Sequence, residues 1–127
     1  MDQKPPDGAI VAVRNLTRGT TIGSNVRVAR SFLSRGRGLM MVADLAPESG
    51  LLIDPCSSIH MFFMRIPLDV LYVSRDNKVV RVQRSIKPWR VGPMVTRGAQ
   101  YVIELPVGAI DQSGTDVGDQ LQIAAGD

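Results

Sequence analysis

The stretch LDVLYVSRDNKVVRV, residues 68–82, decides how this chain folds. Leu68 to Val73 is an apolar run of strand length, rich in β-branched side chains. Arg75-Asp76-Asn77-Lys78 has the composition of a tight turn, and Val79 to Arg84 returns with Val80 and Val82 on one face. Two such segments around a turn read as a β-hairpin.

Working outward, the same signature recurs. Ala9–Asn15, Thr20–Val28, Gly50–Ile53, Ser58–Phe63, Ala99–Leu105 and Gln120–Ala124 all read as short strands. Val26 and Val28 alternate with Arg27 as a half-buried strand should, and Gly23-Ser24-Asn25 reads as a tight turn within that segment. Residues 29–45 differ: Ser31 is a helix N-cap, and the glycines at 36 and 38 limit the helix to about two turns, stopped near Gly38. Ala109–Ser113 has the look of a helical turn. Short strands with turns at regular spacing predict a mainly β, single-domain fold, a sandwich or jelly roll or a partly open barrel with one short helix. Residues 1–8, with Pro5, Pro6 and Gly8, are expected to be a flexible lead-in to one β-rich domain over 9–127.

A chain of 127 residues suffices for one such domain. With 44% hydrophobic and 21% charged residues it has an ordinary globular composition. No apolar run approaches the roughly 20 residues of a membrane-spanning helix. The N-terminus carries no basic segment followed by an apolar one, so the sequence as it stands reads as cytoplasmic; removal of a signal would make it periplasmic or exported. The single cysteine excludes an internal disulfide. The net charge of +3 conceals an asymmetry: residues 14–97 hold fourteen Lys/Arg against five acids, and residues 98–127 hold five acids and no base. No bases cluster in a run and no aromatics interleave with them, which argues against nucleic acid. The arginines are expected to neutralise against the acidic C-terminal segment.

Chemistry-bearing residues concentrate in DPCSSIHMFFMRIPLDVLYV, residues 54–73. It contains the only cysteine, Cys56, and the only histidine, His60. Cys56, His60 and Met64 follow the Cys-x3-His-x3-Met order of a copper-binding loop, but such a site takes a second histidine, and this chain has none. No metal and no cofactor is therefore expected. Cys56, His60 and Asp69 are also the residue types of a nucleophile, base and orienting acid. In an extended strand, residues 56 and 60 lie about 13 Å apart, so they meet only if the segment curls. Asp69, between Leu68 and Val70, is a carboxylate in an apolar run and needs compensation. Arg65, Arg81, Arg84 or main-chain amides around Pro67 are the candidates. Two readings stand level for Asp69: a buried buttress, or a ligand-binding carboxylate. Trp89, flanked by Lys87-Pro88 and Arg90, suits the edge of a groove.

RGLMMV at 37–42, GLLIDPCSSIHMFFMRIPLDVLYVSRDNKVVRV at 50–82, KPWRVGP, AQYVIELPVG and VGDQLQI together resemble the bacterial and archaeal family called domain of unknown function 192. The resemblance runs over about residues 14–123. It implies a compact, mainly β fold, resembling a sandwich or jelly roll, with no established activity and, in many members, an export signal. Many members carry Trp-Met-Lys-Asn-Thr ahead of Pro-Leu-Asp. Here His60-Met61-Phe62-Phe63-Met64-Arg65 stands in that place, as in a subset with a PC-x-SIH segment.

Three functions are compatible with these residues: a non-catalytic accessory module binding a small ligand or a protein partner, a small hydrolase using Cys56 and His60, and a structural interaction domain. With no second histidine and no nucleotide, metalloprotease or nucleophile-elbow motif, the first is favoured over an enzyme. Its expected binding groove lies near residues 56–69 and uses His60, Met64, Arg65, Asp69 and Trp89, with no catalytic residue assigned.

Overall fold

The computed structural model describes residues 4–61, 64–90 and 95–126. Seven strands and two short helices follow one another: β1 (Ile10–Asn15), β2 (Thr20–Ala29), α1 (Phe32–Arg37), β3 (Ser49–Ile53), β4 (Leu68–Val73), β5 (Val79–Ile86), β6 (Tyr101–Leu105), α2 (Ala109–Ser113) and β7 (Leu121–Ala125). They form one sheet of order β5-β4-β6-β3-β2-β1-β7. Its two edge strands meet at one point, where Lys78 bridges Gln120. There Leu121 N–H donates to the Asn77 carbonyl at 2.7 Å and Val79 N–H to the Asp119 carbonyl at 2.9 Å. The sheet therefore curls into a half-barrel, the partly open barrel of the expected architectures.

β1 and β2 pair antiparallel, as do β4 and β5 across the Arg75–Lys78 turn. β2 and β3 pair parallel. A parallel pair cannot be joined by a hairpin, so the chain must cross over, and residues 30–48, carrying α1, make that crossover. β6 then inserts between β3 and β4. Residues 54–67, which link β3 to β4, must consequently pass over β6 as well. Both crossovers lie on the outer face of the sheet.

The burial pattern follows from this. β4 and β6 are buried at every residue, and β3 at four of five. Alternate side chains enter two different cores. Val28, Leu52, Leu71, Ile103 and Leu105 fill the inside of the barrel together with Ile110 of α2. Leu51, Ile53, Leu68, Val70 and Val102 point outward, where Leu39, Ile59, Met61 and Met64 from the crossovers cover them.

α1 is capped by Ser31, whose hydroxyl accepts the Ser34 N–H, and ends at Gly38 with φ 53°. α2, the expected helical turn, is a second helix. Gly23-Ser24-Asn25 does not turn: β2 runs on as one strand, and the register shift between the Val11–Val26 and Val13–Gly23 pairs makes the spot a β-bulge. The expected strand Ser58–Phe63 does not form over Ser58–Met61, where only His60 makes an isolated bridge. Phe62 and Phe63 lie outside the described residues. Ile59 and Met61 are buried and His60 is exposed, so the alternation of Ser58–Met61 is that of a segment lying on an apolar face, not of an eighth strand. No helix among the described residues is long and apolar enough to cross a membrane.

Two of the arginine ion pairs join the basic part of the chain to the acidic C-terminal segment: Arg18 to Asp119 at 3.0 Å and Arg84 to Asp111 at 2.8 Å. Asp119 is itself buried and also accepts from Asn15 and the Asp116 N–H, tying the β1 end to the β7 entry.

Asp69 lies on the inner face of β4, 1% exposed. One carboxylate oxygen accepts the Ser85 N–H at 2.9 Å; the other accepts those of Gly108 at 3.0 Å and Ile110 at 3.1 Å. It ties α2 and the end of β5 to the sheet. Loss of this acceptor leaves one buried and two part-buried amides unpaired, at roughly 1–3 kcal/mol for each that water cannot reach. Asp69→Ala is expected to destabilise the fold by about 3 kcal/mol or more in urea melts, and His60→Ala, at an exposed position, to shift the midpoint little.

Candidate functional site

The groove of interest lies on the outer face, between the two crossovers and above β6. One wall is residues 35–40, the end of α1 and the Gly38-Leu39-Met40 turn. The other is built from Cys56, Ser58, His60 and Met64, and Glu104 of β6 forms the floor. Its volume is about 60 Å³.

Main-chain bonds hold the second wall. Cys56 N–H donates to the Gln100 carbonyl at 2.9 Å, and Thr96 N–H to the Ser57 carbonyl at 2.8 Å. Met61 pairs in both directions with the Trp89–Arg90 segment, through Met61 N–H to the Arg90 carbonyl and Trp89 N–H to the Met61 carbonyl, each at 2.6 Å. The first wall is set by the helix end. Gly38, in the left-handed region that favours glycine, brings its backbone close enough that a Cβ there would sit 3.5 Å from Glu104 Oε1.

Glu104 sits between Leu51 and Val70 on the neighbouring strands, facing the outer core. Only 4% of it is exposed, and Oε1 has no hydrogen-bond partner among the described residues. Burial alone pushes its pKa up to about 7. At neutral pH this carboxyl is poised between its protonated and ionised forms. The Cys56 thiol is also pushed up, first by burial, and Sγ donates to the Ser58 carbonyl at 2.9 Å. It is therefore a thiol, not the thiolate that nucleophilic chemistry uses.

Of the residues expected to form a binding groove, His60 and Met64 come together here, with Cys56 beside them. Asp69 points to the opposite face of the sheet and spends both oxygens on main-chain amides, from Ser85 and α2 and not from around Pro67. Arg65 and Trp89 are exposed and do not line the groove. Glu104 was not anticipated. Its signal resembles that of Asp69: a carboxylate between Ile103 and Leu105 in a strand that is otherwise apolar.

Residues 13–123 match the family model DUF192, Uncharacterized ACR. The chain belongs to the DUF192 family. A UPF0127 protein of Thermococcus sibiricus is 36% identical over 115 residues, covering 84% of this chain and 71% of the relative. A solved structure from Sinorhizobium meliloti 1021, provisionally named a transcription regulator, superposes with a TM-score of 0.77 at 26% identity, over 91% of this chain and 92% of the other. A protein of unknown function from Novosphingobium aromaticivorans superposes with a TM-score of 0.76 at 23% identity, covering 95% and 91%, and shares the fold. Within the matched range, residues 37–40, the Cys56–His60 segment and Glu104 meet in this groove.

The raised pKa of Glu104 makes a stability prediction. Below the ordinary value of 4.5 the carboxyl is protonated in both folded and unfolded chains. As pH rises to about 7 only the unfolded chain ionises, so stability falls, by about 3 kcal/mol at about 1.4 kcal/mol per pH unit. Glu104→Gln should abolish this loss. Urea melts of both proteins at pH 5 and pH 8 measure it: wild type minus variant should grow more negative by about 2.5 kcal/mol, the unfolded chain being already partly ionised at pH 5.

Proposed function

We propose that this DUF192 protein is a non-catalytic accessory module that receives one hydrogen-bond-donating side chain of a partner protein in the groove above Glu104. The observation that carries the reading is the buried, unpartnered Oε1 of Glu104 at the groove floor. A buried polar atom left unsatisfied costs roughly 1–3 kcal/mol. The flanking Leu51 and Val70 indicate that an apolar residue would suit this position better. A carboxyl kept there against that cost has a use outside the fold.

The size of the groove supports a side chain as its occupant. At about 60 Å³ it is far below the roughly 300–1,000 Å³ of sites for whole small molecules. Its rim supports a protein as the bearer. α1, which supplies one wall, exposes Phe32 at 82% and Leu33 at 81%, and Met41 follows at 63%. Arg35 and Arg37 flank them, so a partner segment with apolar and acidic residues is complementary. The competing hydrolase reading is disfavoured by the bonded, protonated thiol of Cys56.

Selection of a random heptapeptide library on the protein tests this. Enriched peptides should share one donor side chain, and synthetic copies should bind Glu104→Leu at least about tenfold more weakly and Phe32→Ser more weakly too, by titration calorimetry. Affinity should rise as pH passes through about 7, where Glu104 becomes an ionised and stronger acceptor. Peptides that bind wild type and Glu104→Leu alike, or a library that yields no enrichment, would refute the proposal.

A further inference from the structure

The two ends of the barrel are not alike. α2 closes one, placing Ala109 and Ile110 in the inner core beside Leu105. Among the described residues the other end has no such plug. There the last residues of β2 and β3, the first of β6 and the Arg75–Asn77 turn surround a cavity of about 450 Å³. This is within the roughly 300–1,000 Å³ range of small-molecule sites, and it is unrelated to the outer groove.

Its wall is divided by polarity. Val28, Leu52 and Tyr101, all buried, and the partly buried Ile123 present the apolar inner face of the sheet. The rim carries three cations, Lys4, Arg30 and Arg75, and one carboxylate, Asp54. Asp54 is already committed: one oxygen accepts Arg30 at 3.0 Å and the other the Gln100 amide at 3.0 Å. Three cations against one paired acid leave a local excess of two positive charges. Arg30 is held in place, since its Nε donates to the Pro5 carbonyl and its side chain is only 22% exposed. The carboxylate thus fixes one guanidinium, while Lys4 and Arg75 line the cavity at exposed positions. The Tyr101 hydroxyl, at the cavity wall, donates to the Asn77 side-chain oxygen at 2.8 Å, which orients that amide.

We propose that this open end is a binding site for a small amphipathic carboxylate: an unbranched or lightly branched apolar body seated against Val28, Leu52 and Tyr101, with its anionic head at Arg30, Lys4 and Arg75. An apolar floor with an excess of positive charge at the rim, one of its guanidiniums held in place, is the arrangement that recognises such a molecule. A neutral isostere would meet the floor alone and leave the charges unanswered.

Sodium octanoate and octan-1-ol are the probes, followed by protein-observed NMR and titration calorimetry on the whole chain. Octanoate should perturb Val28, Leu52 and Tyr101 and bind at least about tenfold more tightly than octan-1-ol. Lys4→Glu and Arg75→Glu, both at exposed positions that leave the fold intact, should each weaken octanoate markedly and leave octan-1-ol unchanged. Glu104→Gln should leave octanoate binding unaltered, which separates this site from the outer groove. No binding, equal binding of the two probes, perturbations centred elsewhere, or indifference to both charge reversals would each overturn the proposal.

Discussion

The parallel pairing of β2 with β3 is the constraint from which the rest of the structure follows. Parallel neighbours cannot be joined by a tight turn, so residues 30–48 must leave the sheet and return. The insertion of β6 between β3 and β4 imposes a second excursion, residues 54–67, over the same face. Two irregular segments therefore cover one side of a curled sheet. That cover converts the central strands from half-buried to fully buried, and it generates the outer core, the groove and the burial of Glu104 together.

The central strands carry two carboxylates, and they differ in whether the fold satisfies them. Asp69 and Glu104 sit on β4 and β6 among equally apolar neighbours, 1% and 4% exposed. Asp69 points inward, meets the amides of Gly108 and Ile110 at the start of α2 and that of Ser85, and is fully used by the fold. Glu104 points outward, beneath the meeting point of the crossovers, and keeps an oxygen that nothing among the described residues satisfies. The same chemical group at the same depth is fully hydrogen-bonded in one case and left with an unpartnered oxygen among the described residues in the other. The difference lies only in which face of the sheet it occupies.

A related division explains the charge. Arg18 and Arg84 neutralise acids near the C-terminus, as the asymmetry of the chain suggested, and so contribute to closing the barrel rather than to a basic surface. Arg30 is different because its carboxylate partner, Asp54, is shared with Gln100 at a barrel end that no helix among the described residues fills. Position at the open mouth, not the number of arginines, gives that cluster its character.

Much of the architecture was legible before any coordinates. The Leu68–Val82 hairpin, the strands beginning near Ile10, Thr20 and Ser49, the Ser31-capped helix ending at Gly38, and the helical turn at Ala109 all follow from local propensity, alternation and turn chemistry, which act over a few residues. The stretch 54–73 was also recognisable as the place where the chemistry-bearing residues concentrate, and Cys56, His60 and Met64 do line one groove. What local pattern could not supply was strand order. Parity along a strand says that Asp69 and its neighbours alternate faces, but not which face is inside, nor that Glu104, thirty-five positions later, would lie under His60 and Met64. Ser58–Met61 looked like a strand because a segment draped over an apolar face shows the same alternation as one within the sheet. The chain by itself determined its elements and the charges of its candidate groups. Only the tertiary structure decided which of them are satisfied, because hydrogen-bond satisfaction of a buried group depends on partners brought together across the sheet, far apart in sequence.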